Sequence, residues 1–96
     1  MDIDPNELLV TNNDEQHRYE VECEGQLSEL AYSLRGDTLR LIHTGVPKAL
    51  AGRGIAARLA QFALDDARAR GLRVDPRCAY VRAFLEKNPE YQDLVS

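Results

Sequence analysis

Between Arg18 and Glu24 apolar and charged residues alternate: Tyr19, Val21 and Cys23 against Arg18, Glu20, Glu22 and Glu24. A period of two sends successive side chains to opposite faces of a strand, so the first set is expected inward and the second in water. Gly25 marks a turn, Leu27–Leu34 reads as the next strand, and Gly36-Asp37 is a two-residue hairpin loop into a strand over Thr38–Val46. A short strand, Glu7–Thr11, is expected before them, closed by the turn-prone Asn12-Asn13-Asp14. The first half is therefore expected to be an antiparallel meander. The hairpin also accounts for the adhesion-like triplet Arg35-Gly36-Asp37 without any adhesive role.

The second half changes period. From Gly52 to Arg70, Ile55, Ala56, Leu59, Ala60, Ala63 and Ala67 recur at helical spacing. Arg68 and Arg70 suit the negative end of that helix, and Gly71 suits the position just beyond it. Leu72–Val74 reads as a short strand that runs parallel to Thr38–Val46, because a helix connects the two. A second helix is expected with Asp75 as N-cap and Pro76 at its first position, ending at Asn88-Pro89. This spacing puts Cys78 in the third helical position, where the helix field favours a thiolate. An α/β (α+β) domain follows, antiparallel strands leading into a βαβ unit and a short C-terminal helix.

Composition narrows the function. The chain has 96 residues, enough for a single domain with a core about 7–95, and its 44% hydrophobic and 29% charged content is that of a globular protein. No apolar run suits a bilayer, and the acidic Met1-Asp2-Ile3-Asp4-Pro5 start is unlike a secretory signal, so no membrane role and a cytoplasmic location are expected, with Cys23 and Cys78 as free thiols. Cys23 belongs to the inward set of its strand. Residues 1–47 hold ten acids and three bases, residues 48–96 six acids and nine bases. The basic half suits an anion, but a pI of 5.1, no Trp and no aromatic-interleaved basic stripe argue against nucleic acid. His17, Cys23, His43 and Cys78 lack metal-ligand spacing, so no metal is expected.

The stretch Val46-Pro47-Lys48-Ala49-Leu50-Ala51-Gly52-Arg53-Gly54-Ile55-Ala56 carries the chemistry. A strand ends, a loop follows and two glycines open a long helix, whose first amides lack partners and attract anions. The first turns contain Arg53 and Arg58 and no acid, with Lys48 upstream. Cations there oppose the helix dipole unless an anion sits among them. Val46, Ala51, Gly52, Arg53, Gly54, Ile55 and Ala56 are the candidate binding residues.

These residues resemble the pyrophosphate-binding segment of GNAT acyltransferases, and the chain is similar to a small YjdJ-type GNAT-like group. The likeness runs from about Arg18 to Val95. It includes Leu30-Ala31-Tyr32, His43-Thr44, Val46-Pro47, Gly52-Arg53-Gly54-Ile55-Ala56, the run Pro76-Arg77-Cys78-Ala79-Tyr80-Val81 and Pro89-Glu90-Tyr91. The resemblance implies a minimal GNAT fold in which the strand ending at Val46 and the strand Leu72–Val74 splay apart. Pantetheine of acetyl-coenzyme A would lie in that gap and the Ala51–Ala56 amides would hold the diphosphate. An amine would attack the thioester, with Cys78 as acyl carrier or acid, Tyr80 as proton donor and His43 as base.

Two departures stand out. The small group reads Glu where this chain has Gly45, and the wider family's tyrosine acid falls, by spacing, at Leu85. The expected function is acetyl transfer from acetyl-coenzyme A to an amine, by a monomer or weak homodimer. Since the full-size family builds its acceptor pocket from N-terminal helices, an open acceptor site is expected here, suited to a protein or peptide lysine. The alternative is a non-catalytic acyl-coenzyme A-binding or protein-interaction module of the same fold. A dinucleotide site is a further rival, since Gly52-Arg53-Gly54-Ile55-Ala56-Ala57 fits GxGxxA with Asp75 beyond it, but five residues separate Val46 from Gly52 and the strands before are antiparallel.

Overall fold

The computed structural model describes residues 8–95. Five strands follow one another across a single sheet in chain order: β1 (Thr11–Asn13), β2 (Arg18–Cys23), β3 (Gln26–Arg35), β4 (Thr38–Gly45) and β5 (Arg73–Pro76). The first four are antiparallel and β4 pairs with β5 in parallel, the βαβ unit expected from the chain's change of period. Between β4 and β5 lie a 3-10 turn, Lys48–Leu50, and the helix α1 (Ile55–Ala69). After β5 come α2 (Ala79–Lys87) and a second 3-10 segment, Pro89–Leu94. Strand order 1-2-3-4-5 with one parallel pair is not a doubly wound sheet, so the dinucleotide reading has no scaffold.

Tyr19, Val21 and Cys23 of β2 are buried, as are Ser28, Leu30 and Tyr32 of β3 and Leu39 and Leu41 of β4. Helix α1 covers this face with Ile55, Leu59, Ala60, Ala63, Leu64 and Ala67, all at most 1% exposed. Each large apolar side chain buried this way contributes about 1.5–3 kcal/mol. Ala56, expected in that stripe, is only half-buried, and Leu64 takes a core place instead. The helix ends in a Schellman motif: Leu72 N–H donates to the Ala67 carbonyl at 2.8 Å and Gly71 N–H to the Arg68 carbonyl at 3.2 Å. Gly71 is left-handed there, as its place after the last apolar residue predicts.

Four expected boundaries are corrected. The first strand is Thr11–Asn13, not Glu7–Thr11; Glu7 lies outside the described residues, and Leu8–Val10 are not in the sheet. The turn falls at Asp14–His17 rather than at Asn12-Asn13-Asp14, because Asn12 and Asp14 both accept from the Tyr32 hydroxyl, at 2.7 and 3.0 Å. The second strand ends at Cys23, since Glu24 and Gly25 are both left-handed and form the hairpin turn. Helix α1 begins at Ile55 rather than Gly52 because Gly52 and Gly54 take φ of +80° and +81°.

A fifth correction is at Asp75-Pro76, which ends β5 rather than starting a helix. The Asp75 carboxylate accepts from Arg77 Nε at 2.9 Å and lies 3.7 Å from Arg40, so it caps nothing. Proline's missing N–H is tolerated because β5 is an edge strand. The N-cap of α2 is Cys78 itself, with extended backbone, instead of the third helical residue.

Candidate functional site

The segment Val46–Ala56 folds as a strand exit, a tight turn and a helix entry. Leu50 N–H donates to Pro47 O at 2.9 Å and Ala51 N–H to Lys48 O at 3.2 Å, closing the 3-10 turn. The Ala51 amide is thus already engaged. Helix α1 makes its first closing bond from Arg58 N–H to Gly54 O, at 3.1 Å, which leaves the amides of Ile55, Ala56 and Ala57 without intrahelical acceptors. The amides of Gly52, Arg53 and Gly54 donate to no backbone carbonyl among the described residues. Around the place where a Cβ on Gly52 would stand, nothing lies within 4 Å. Free donors, an open approach and the N-terminus of a 15-residue helix together form a cradle of the polarity that suits an anion.

A hollow of about 270 Å³ lies over this cradle, lined by Val46, Leu50, Ala51, Gly52, Gly54, Ile55, Ala56, Ala57 and Tyr80. Six of the seven binding residues expected from the chain are therefore brought together. The seventh, Arg53, is elsewhere: its guanidinium is paired with Glu24 in the β2–β3 hairpin turn.

Beside the hollow the sheet opens. Pairing of β4 with β5 runs from Thr38–Arg73 to Leu41–Pro76 and stops. The Leu41 carbonyl takes the N–H of both Arg77, at 2.9 Å, and Cys78, at 2.8 Å, and the chain then turns away into α2. From Ile42 onward the β5-facing edge of β4 has no strand partner among the described residues. A bulge adds to the divergence: Tyr32 pairs with Leu41 and Ala31 with His43, so Ile42 is an extra residue.

The bulge also decides which face each side chain meets. Thr44, opposite buried Leu30, points to the helix-covered face, and its Oγ1 lies 3.3 Å from Cys78 Sγ. Burial pushes the Cys78 thiol up, but the Thr44 hydroxyl and the backbone amides of Val81 and Tyr80 more than offset this, and its pKa falls below the ordinary thiol value. Tyr80 follows two residues later, 38% exposed, with a raised pKa from burial and the neighbouring Cys78. It stays protonated at neutral pH and can donate. Cys78 and Tyr80 are thus assembled at the mouth of the gap.

His43 is not with them. Opposite Ala31, it is exposed on the face of the sheet away from α1, behind the strand that carries Thr44. Leu85, at the position of the wider family's tyrosine, is 5% exposed and packs in the core. Cys23 is likewise buried and His17 exposed, and no group of three metal-ligating side chains occurs among the described residues.

Sequence reasoning missed the continuation of the site. The hollow shares Ala57 with two neighbours: one of about 270 Å³ lined by Tyr80, Ala83, Phe84, Lys87 and Asn88, the other of about 290 Å³ that adds Gly54, Arg58, Gln61, Glu90 and Tyr91. Together they form a groove between α1 and α2. The Arg58 guanidinium lies over the Phe62 ring, 5.8 Å from its centroid, at the edge of that groove. The signal was present in the apolar and small residues on the helix side away from the sheet, but helical periodicity assigns Ala56 and Ala57 to the core as readily as to a groove.

Comparison with known proteins gives concordant results. Residues 18–94 match the family model described as GCN5-related N-acetyl-transferase. Protein NATD1 of Xenopus tropicalis is 33% identical over 91% of this chain and 84% of its own length, and Protein NATD1 of Danio rerio 32% identical over 91% and 82%. The NMR structure of a "GCN5-like putative N-acetyltransferase" from Staphylococcus aureus superposes with a TM-score of 0.72 at 25% identity, covering 93% of this chain and 88% of that one.

Proposed function

This chain belongs to the GCN5-related N-acetyltransferase family, and on that premise we propose that it binds acetyl-coenzyme A and transfers the acetyl group to an amine. The observation that carries the reading is the meeting of two features: an open cradle of unpartnered amides at Gly52–Ala57, and a gap between β4 and β5 with Cys78 and Tyr80 at its mouth. Bound acetyl-coenzyme A would supply an activated thioester.

The residues divide the work. The Gly52–Ala57 amides would hold the diphosphate, and the free edge of β4 beyond Leu41 would hydrogen-bond an extended amide-bearing arm as a missing strand does. Val46 and Leu50 line the apolar wall beside that arm. The α1–α2 groove, with Arg58, Phe84 and Tyr91, extends from the cradle and suits the nucleoside end. Tyr80, protonated and exposed to the hollow, would give its proton to the departing thiolate.

Cys78 favours a second route to the same products. Its lowered pKa makes it a nucleophile: the thiolate would attack the thioester carbonyl, coenzyme A would leave with a proton from Tyr80, and the amine would then displace Cys78. Mass spectrometry of the intact protein after mixing with acetyl-coenzyme A separates the routes. Acetyl label lost in Cys78→Ala marks the carrier route; turnover without label marks direct transfer.

Calorimetry with coenzyme A tests the reading itself. Heat of binding is expected, with amide shifts concentrated at Gly52–Ala57. No heat, or stabilisation by a nicotinamide dinucleotide in its place, sinks it.

A further inference from the structure

Helix α2 has two working flanks. One, with Tyr80, Phe84 and Asn88, lines the groove against α1. The other, with Arg82, Leu85 and Glu86, faces a separate hollow of about 430 Å³ that Pro76, Gln92 and Val95 close. The two share no lining residue, so this hollow belongs to neither the cradle nor the groove that continues it. Its floor is apolar: Leu85 is buried, and Pro76 and Val95 are half-buried. The fold builds its walls. A parallel bridge to Val74 sets Val95 beside β5, and Gln92 Nε2 donates to the Leu85 carbonyl at 3.1 Å, tying the Pro89–Leu94 segment to α2.

The rim carries one charge of each sign. Arg82 and Glu86 are four apart on α2, yet they form no salt bridge with each other or with any other described residue. Arginine before glutamate is the weaker order for such a pair. The Arg82 guanidinium is instead drawn to the chain that leads from β5 into α2: its NH1 donates to the Arg77 carbonyl at 2.9 Å and the Pro76 carbonyl at 3.3 Å. Those bonds anchor the fork and leave its Nε and NH2 donors for a carboxylate. The Glu86 carboxylate is an acceptor without a partner among the described residues, and so is Gln92 Oε1, because only the amide nitrogen of that side chain is engaged. An anchored cation, a free anion and a free amide oxygen thus surround an apolar floor.

We infer that this hollow is a binding site for a free α-amino acid with an apolar side chain. Its carboxylate pairs with Arg82, its ammonium lies between Glu86 and Gln92 Oε1, and its side chain rests on Pro76, Leu85 and Val95. The charges select this class against its neighbours: a fatty acid would set its carboxylate beside Glu86 with nothing to offer that anion, and an alkylamine would do the same beside Arg82. The ligand is not a substrate of the chemistry at Cys78, since helix α2 stands between the two sites. The inference does not depend on the acetyl-transfer reading. A ligand of this size on an open, wet rim is held with a dissociation constant on the order of 1 mM.

The test is an NMR titration of the full chain with L-leucine. Amide shifts are expected at Arg82, Glu86, Gln92 and Val95, with Gly52–Ala57 unmoved. L-leucinamide, which lacks the carboxylate, and N-acetyl-L-leucine, which lacks the ammonium, should each bind about tenfold more weakly. Arg82→Gln should erase the advantage of leucine over leucinamide, and Glu86→Gln its advantage over N-acetyl-leucine; both positions are exposed, and the remaining spectrum reports the fold. N-acetyl-leucine binding as tightly as leucine would mark a site for a peptide C-terminus and overturn the inference. Equal binding of all three would mark an apolar dent without charge recognition and overturn it too. So would the absence of shifts at these four residues with leucine at about 20 mM, well above the expected constant.

Discussion

Thr44 Oγ1 lies 3.3 Å from Cys78 Sγ, a side-chain bridge across the gap that backbone pairing leaves open. It couples the end of β4 to the N-cap of α2. Because burial alone would raise the thiol pKa, the hydroxyl and the α2 amides are what bring it down. Thr44→Val keeps the shape and removes the donor, so the pKa should rise and alkylation of Cys78 at neutral pH should slow several-fold, read from the pH dependence of thiolate absorbance. The sign for stability follows. A depressed thiol pKa contributes stability that is full above the unfolded value, about 8.5, and is lost as pH falls through the folded one. The deficit of Thr44→Val in urea denaturation should therefore widen toward alkaline pH.

Tyrosines give the opposite dependence. Burial and the Asp66 carboxylate, which accepts from the Tyr19 hydroxyl at 2.7 Å, drive the Tyr19 pKa far up; burial and Asp65 push Tyr91 up to about 12. Both hydroxyls are protonated in the fold where the unfolded chain would titrate, near 10. Their contribution is complete below that pH and is lost as pH rises. Alkaline unfolding should set in above about pH 10, and Tyr19→Phe should flatten it. At neutral pH the same substitution should cost about 1–2 kcal/mol, since it removes a hydrogen bond to a charged acceptor. Chemical denaturation across this range decides both points.

Two glycines should respond in contrary senses to alanine. Gly52 holds φ +80° beside open space, so Gly52→Ala should destabilise by about 1–2 kcal/mol through backbone strain, and its Cβ should also obstruct the cradle and weaken coenzyme A. Gly45 has neither strain nor crowding, and Gly45→Ala in a strand should stabilise by about 0.5–1 kcal/mol with coenzyme A affinity unchanged. Thermal melts with and without coenzyme A separate the two effects.

These contrasts show what the chain made legible. The period-two pattern of Tyr19, Val21 and Cys23 and the glycines before α1 announced the meander, the βαβ unit and the open turn that enters α1, because each depends on local backbone preference. Asp75 and Pro76 misled for the same reason. Their helix-starting chemistry was overridden by a ladder to Arg40 and Leu41 some 35 residues earlier in the chain. The Ile42 bulge was invisible, since an extra residue in β4 leaves no composition mark. It nevertheless reverses the parity of the strand end: simple alternation from Leu41 would send His43 inward and Thr44 outward, and the bulge does the converse. Partners distant in sequence, Glu24 to Arg53 and Glu29 to Gly45, likewise needed the fold to be seen.

The pairing of Arg53 with Glu24 has a measurable consequence for ligand affinity. Arg53 stands between the two cradle glycines, so its backbone falls within the proposed diphosphate cradle while its side chain is committed to the β2–β3 turn. An incoming diphosphate competes with Glu24 for the guanidinium. The pair is solvent-accessible, with side chains 33% and 54% exposed, and exposed pairs of this kind are worth about 0–1 kcal/mol. Glu24→Gln removes the competitor and keeps the size of the side chain, so coenzyme A should bind up to about fivefold more tightly. One more phosphate contact also makes binding more sensitive to ionic strength, because screening acts on each exposed charge pair. Calorimetry at low and high salt should thus show a larger affinity ratio for Glu24→Gln than for the parent chain. If affinity instead falls, the Glu24 carboxylate is holding Arg53 in the posture that binds phosphate, and the pair is a positioning device rather than a competitor.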